Sequence, residues 1–126
     1  MLKDAKASSS FSVDDLQKAR QFYSGILSLE VAEIEMGLLE LRINGGNDIM
    51  VYPKPNHVPA TFTVLNFSVG DVEKTVDSLI EKGVQFEQYT GDIQTDEKGI
   101  CRNAEGPMIA WFKDPAGNIL SILQKK

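Results

Sequence analysis

Apolar residues recur at three- and four-residue spacing twice along the chain, and each time a short alternating stretch precedes them. Leu16, Ala19, Phe22, Tyr23, Ile26 and Leu27 gather on one face of a helix predicted near 14–27, and Val72, Val76, Leu79 and Ile80 on one near 70–82. Asp14 and Gly70 are the expected N-caps, with Gln17 and Glu73 three residues on as in a capping box, and Gly83 is placed to close the second helix. After the first helix, the runs 29–36, 38–44 and 48–52 are separated by Gly37 and by Gly45-Gly46-Asn47, which predicts three antiparallel strands. After the second, strands are expected at 84–89, 108–113 and 118–124, with a polar loop over 91–106 and an Asp114-Pro115-Ala116-Gly117 turn joining the last two.

The two patterns are copies of one unit. Phe11-Ser12-Val13-Asp14-Asp15-Leu16 matches Phe67-Ser68-Val69-Gly70-Asp71-Val72, 56 residues later. Each copy reads strand, helix, strand, strand, strand. The expected organisation is one domain over 1–126, with a first βαβββ unit at 5–53, a proline-bearing linker at 54–60 and a second unit at 61–126. The fold class is α+β: the units form one curved eight-stranded mixed sheet with helices on its convex side and a ligand pocket in its concavity.

Composition narrows the function classes. A chain of 126 residues, 42% hydrophobic and 25% charged, has the length and balance of a folded domain that needs no staple. No apolar run approaches the roughly 20 residues of a membrane span, the opening MLKDAKASSS lacks a signal-peptide core, and the lone Cys101 fits a reducing compartment, so a cytoplasmic location is expected. The net charge of -5 argues against a nucleic-acid surface. It would suit a cationic ligand, although solubility alone accounts for such a balance.

The duplication, the opening FSVDDLQKARQFY and the ending WFKDPAGNILSIL together resemble the vicinal oxygen chelate superfamily, the fold of glyoxalase I and the bleomycin-resistance proteins. In metal-dependent members the resemblance implies His and Glu ligands on the first and last strand of each unit. Those positions fall here at Ser8, Val64, Ser121 and Met50, or Val51 if the count is shifted by one. None is an imidazole or a carboxylate, so no metal and no cofactor is expected. The only histidine, His57, reads as a solvent-facing linker residue. The resemblance also implies a homodimer, with pockets completed within one chain or between two.

Ser8, Ser10, Val64, Asn66 and Ser121 are expected to share the concave side, Met50 and Tyr52 to face the pocket from the last strand of the first unit, and Phe112 to provide a flat wall. That last assignment pairs Phe112 with Ile119 and Ala110 with Ser121 and points Trp111 away; a bulge at Gly117 reverses it and makes Trp111 the alternate. Cys101, read as an ordinary thiol, and Arg102, a possible anion partner, sit in the loop expected to rim the pocket. Glu33-Glu35 and Glu40-Arg42 read as outward strand residues. The function these features predict is binding of a small organic ligand without metal and without chemistry. The alternatives are a glyoxalase-type lyase or isomerase with a displaced or metal-free site, and an interaction module with a closed cleft.

Overall fold

In the first copy the alternation around Phe11 becomes strand β1, Ser9–Val13, in a computed structural model that describes residues 1–44, 48–102 and 106–124. The expected Gly45-Gly46-Asn47 turn lies outside the described residues. The chain divides into two compact units, Met1–Pro59 and Ala60–Lys126. The eight strands fall into two four-stranded mixed sheets, one in each unit.

In the first unit β1 is followed by helix α1, Leu16–Arg20, a π-helical segment, Gln21–Ile26, and strands β2, Glu30–Ile34, β3, Leu38–Arg42, and β4, Ile49–Pro53. The strand order is β1-β4-β3-β2, with β1 parallel to β4 and the other pairs antiparallel. Strand alternation buries Phe11, Val13, Leu39, Leu41 and Val51, and Ala19, Phe22 and Tyr23 complete this core from the helix side. Each buried Val, Leu or Phe side chain among them contributes roughly 1.5–3 kcal/mol by leaving water. The single helix expected over 14–27 changes pitch at Gln21: the Leu27 N–H donates to the Phe22 carbonyl at 3.0 Å, an i→i−5 bond. The wider turn rotates the chain less per residue, so the consecutive rings of Phe22 and Tyr23 are both buried, their centroids 5.2 Å apart and edge to face.

The second unit contains β5, Thr63–Ser68, α2, Val72–Glu81, β6, Ile100–Cys101, β7, Met108–Lys113, and β8, Ile119–Gln124, in the order β5-β8-β7-β6. Val72, Val76 and Leu79 of α2 are buried, as are Ile100, Ala110, Phe112, Leu120 and Ile122 of the sheet. The helix ends as expected at Gly83, with Val84 N–H bonded to the Leu79 carbonyl and Gly83 N–H to that of Ile80. Among the described residues no helix is long and apolar enough to cross a membrane.

Three local expectations are corrected. The caps are Asp15 and Asp71, one residue later than Asp14 and Gly70; their carboxylates accept the Lys18 and Lys74 N–H groups at 3.1 and 3.0 Å. Lysine therefore occupies the third helical position in both copies, and no capping box with Gln17 or Glu73 forms. The two caps keep the 56-residue offset of the duplication. Asp15→Ala is expected to cost about 1 kcal/mol in denaturant unfolding, whereas Asp14→Ala should stay within about 0.5 kcal/mol of the parent.

The strand expected at 84–89 is not a strand. Only Phe86 bridges Phe112, and the Glu87 N–H donates to the Trp111 carbonyl at 2.8 Å. The chain leaves the sheet because Thr95 takes both backbone groups of Tyr89: its Oγ1 accepts the Tyr89 N–H at 2.8 Å, and its own N–H reaches the Tyr89 carbonyl at 3.1 Å. The fourth strand, β6, comes from within the stretch expected to be loop, with Ile100 opposite Ala110 and Cys101 opposite Ile109.

The register across the last hairpin also differs. Trp111 pairs with Ser121, Phe112 with Leu120 and Lys113 with Ile119. The Asp114–Gly117 turn is closed by a 3.0 Å bond from Gly117 N–H to the Asp114 carbonyl, and Gly117 follows at φ +88° as an extra residue. That bulge shifts the pairing by one and turns Phe112 into the core.

Candidate functional site

The second unit holds a groove of about 650 Å³ lined by Thr61, Phe62, Thr63, Tyr89, Thr90, Asp92, Ile93, Trp111 and Ile119. Its floor follows from the hairpin register. Trp111 and Ile119 lie on the sheet face opposite to the buried Phe112 and Leu120, because strand neighbours alternate. One wall is the start of β5 and the other is the loop that Thr95 pinches off after Tyr89. The Tyr89 and Trp111 rings meet edge to face, 5.5 Å between centroids at 70°, and form an aromatic corner. Burial holds the Tyr89 hydroxyl above the ordinary tyrosine range; Glu87 pushes it the same way and Lys113 opposes it. Glu87 and Lys113 are themselves paired at 3.2 Å. Tyr89 is thus a neutral hydrogen-bonding group at neutral pH.

The groove loop is anchored at its far end by charge. Asp96 Oδ1 accepts the Lys98 and Ile100 N–H groups, both at 2.9 Å, and Oδ2 accepts from Arg102 Nε at 3.0 Å. Arg102 also pairs with Glu73 of α2, and Lys98 with Asp77 at 3.0 Å. Burial raises the Asp96 pKa, but the Ile100 N–H, the Arg102 hydrogen bond and the Lys98 N–H together outweigh it and hold the carboxylate below its ordinary 3.8. A carboxylate whose pKa is lowered on folding contributes stability that is present above the unfolded value and lost as pH falls through the folded one. As pH falls from about 5 to below the ordinary 3.8 the wild type should therefore lose denaturant stability more steeply than Asp96→Asn; equal slopes in the two proteins would refute the anchor. Arg102, expected as a ligand partner, is committed to this anchor.

The predicted pocket residues are distributed over both units. In the first, Ser10 pairs with Met50 and Ser12 with Tyr52, which puts Ser10, Met50 and Tyr52 on the face away from the buried Phe11, Val13 and Val51. Ser8 is exposed just before β1. Glu40, opposite Met50 in the register, is paired with Arg42 at 2.9 Å. His57 is not a solvent-facing linker residue: it is half-buried, and its Nδ1 lies 2.6 Å from Ser12 Oγ, which ties the proline-bearing segment to β1. Lys54 N–H adds a 2.9 Å bond to the Val13 carbonyl.

In the second unit, Asn66 lies opposite Ser121, whose hydroxyl donates to Asn66 Oδ1, so these two polar groups satisfy each other outside the groove lining. Val64 is half-buried where the β5 register shifts, and it too lies outside the lining. Phe112 is fully buried against Phe86, 5.4 Å between centroids, and is a core residue; Trp111, the alternate, lines the groove. Tyr89, Phe62 and Asp92 were not foreseen. The Thr61-Phe62-Thr63 alternation and the turn-forming Gly91-Asp92 after Tyr89 were the available signals.

The donor set does not fit a divalent metal. The ligand positions implied by the resemblance hold Ser8, Met50, Val64 and Ser121, and among the described residues no three His, Cys, Asp or Glu side chains are grouped to hold an ion.

Comparison with known proteins gives a consistent picture. The model of a family described as the Glyoxalase/Bleomycin resistance protein/Dioxygenase superfamily matches residues 8–122. Solved structures with the same fold include TnmS3, an antibiotic binding protein from Streptomyces sp. CB03234, at TM-score 0.71 and 22% identity over 98% of each chain. A putative glyoxalase family protein from Bacillus anthracis gives TM-score 0.75 and 16% identity over 98% of this chain and 96% of that one. A lactoylglutathione lyase from Agrobacterium tumefaciens gives 0.69 and 19% over 96% and 93%. No curated protein matches the chain.

Proposed function

The chain belongs to the Glyoxalase/Bleomycin resistance protein/Dioxygenase superfamily, and from that premise we propose that it binds a small organic ligand without a metal and without chemistry. The observation that carries this reading is the aromatic-walled groove of the second unit, where Phe62, Tyr89, Trp111 and Ile119 offer apolar contact and three threonines offer hydroxyls. A few fixed polar groups in an apolar setting orient a ligand; the lining holds no histidine, cysteine or lysine, and its one carboxylate, Asp92, is exposed. The likeness to an antibiotic binding protein supports a small organic ligand. Met50, Tyr52 and Ser10 extend the proposal to the open face of the first sheet, and a homodimeric, cytoplasmic protein completes it.

The test is binding and turnover measured together. Saturable quenching of Trp111, the only tryptophan of the chain, by a flat organic ligand that is recovered unchanged is the expected result. A stoichiometric transition metal in protein purified without chelators, together with lyase or isomerase turnover of a thiol–aldehyde adduct, would overturn it.

A further inference from the structure

We infer that the ligand of this groove is a flat cation, an inference that rests on the binding reading above and specifies its chemistry. Of the nine lining residues one, Asp92, carries a formal charge, and it is negative. The lysine beside the groove, Lys113, sits opposite Ile119 but is matched by Glu87, so it does not offset Asp92. Three aromatic rings share the lining, and two of them form the corner between Tyr89 and Trp111. Ring faces attract cations through their quadrupole, and an aromatic corner next to a carboxylate favours a positive, weakly hydrated group over a neutral or negative one of the same shape. The chain's net charge of -5 acts in the same direction at longer range. An anionic ligand would face Asp92 and the negative faces of the rings with no cation among the lining residues. The apolar floor of Trp111 and Ile119 suits a planar body, with the positive charge toward the Asp92 wall.

Three probes that share one flat body and differ in charge test this: 9-aminoacridine as the cation, acridine as the neutral form at about pH 8, and acridine-9-carboxylate as the anion. Affinities are read by calorimetry, with Trp111 quenching to place the ligand. The cation should bind roughly ten-fold tighter than acridine, from one exposed ion pair and one cation–π contact, with the anion weakest. Asp92→Asn, a change at an exposed loop position, should cut the cation's advantage over acridine to about three-fold, the part left to the cation–π contact. Equal affinities of all three probes for the parent protein would overturn the charge assignment and leave the groove as a binding site. A ten-fold preference that survives undiminished in Asp92→Asn would overturn the role of Asp92 and with it this inference. Failure of every probe to bind or to quench Trp111 would remove the groove reading itself.

Discussion

Phe112→Ala is expected to lower the denaturant stability of the protein by about 3–5 kcal/mol, while its neighbour Trp111→Ala should cost half of that or less. The difference comes from one residue of register. Phe112 is fully buried, packed on Phe86 and opposite the equally buried Leu120, so truncating it leaves a void that the sheet and α2 cannot close. Trp111 is only partly buried and lines the groove. Its truncation removes the floor and one ring of the aromatic corner, so binding should fall by more than about 30-fold, as for a central aromatic anchor. Chemical denaturation of both variants, followed by circular dichroism, together with ligand titration by calorimetry, separates the two roles. If Trp111→Ala proved the more destabilising of the pair, the hairpin register would be wrong.

Gly99→Ala is the second large effect, about 2–4 kcal/mol, at a position that makes no side-chain contact at all. Gly99 has φ +85°, and a Cβ placed there would lie 2.7 Å from the Phe86 Cβ and 3.0 Å from the Glu87 carbonyl oxygen. The left-handed conformation alone costs an L-residue about 1–2 kcal/mol, and the overlap adds a cost of the kind met when extra atoms are forced into a packed site. Neither obstacle is the free end of a long side chain, so the loop would have to lift away from β7. Gly25→Ala is the matched control: a Cβ there meets nothing within 4 Å, and the change should be neutral or slightly stabilising. Thermal unfolding of the two variants side by side reads the contrast directly.

What could be read from the amino-acid order follows the strength of each local signal. Both helices are carried by sustained three- and four-residue periods, and the duplication confirms each copy with the other. The caps were displaced by one residue because two acceptable capping positions adjoin in each copy, and only backbone geometry chooses Asp15 over Asp14. Two-residue β6 has no period to detect. Its partner on the same edge, Phe86, looked like the middle of a strand because nothing local reveals that Thr95 will capture the backbone of Tyr89. The Phe112 assignment failed on parity: a single extra residue at Gly117 exchanges the two faces of a strand, and the alternative was visible only as a possibility of the turn. The bond between Ser12 and His57 joins residues 45 apart and carries no sequence signature.

The outer edge of β7 is held at two separate places, by Phe86 with Glu87 and by Ile100 with Cys101, and of the residues between them 90–94 are exposed. Both ends of that stretch are fastened to the same strand, so its length is nearly free: doubling a loop adds only about 0.6 kcal/mol of closure entropy. Selection can therefore rewrite one wall of the groove, by substitution or insertion between Tyr89 and Thr95, while the clamp at those two residues and the sheet beneath are inherited unchanged. Lineages that diverge in what they capture need not diverge in how they fold, and the same stretch is the place to graft a new specificity onto this scaffold.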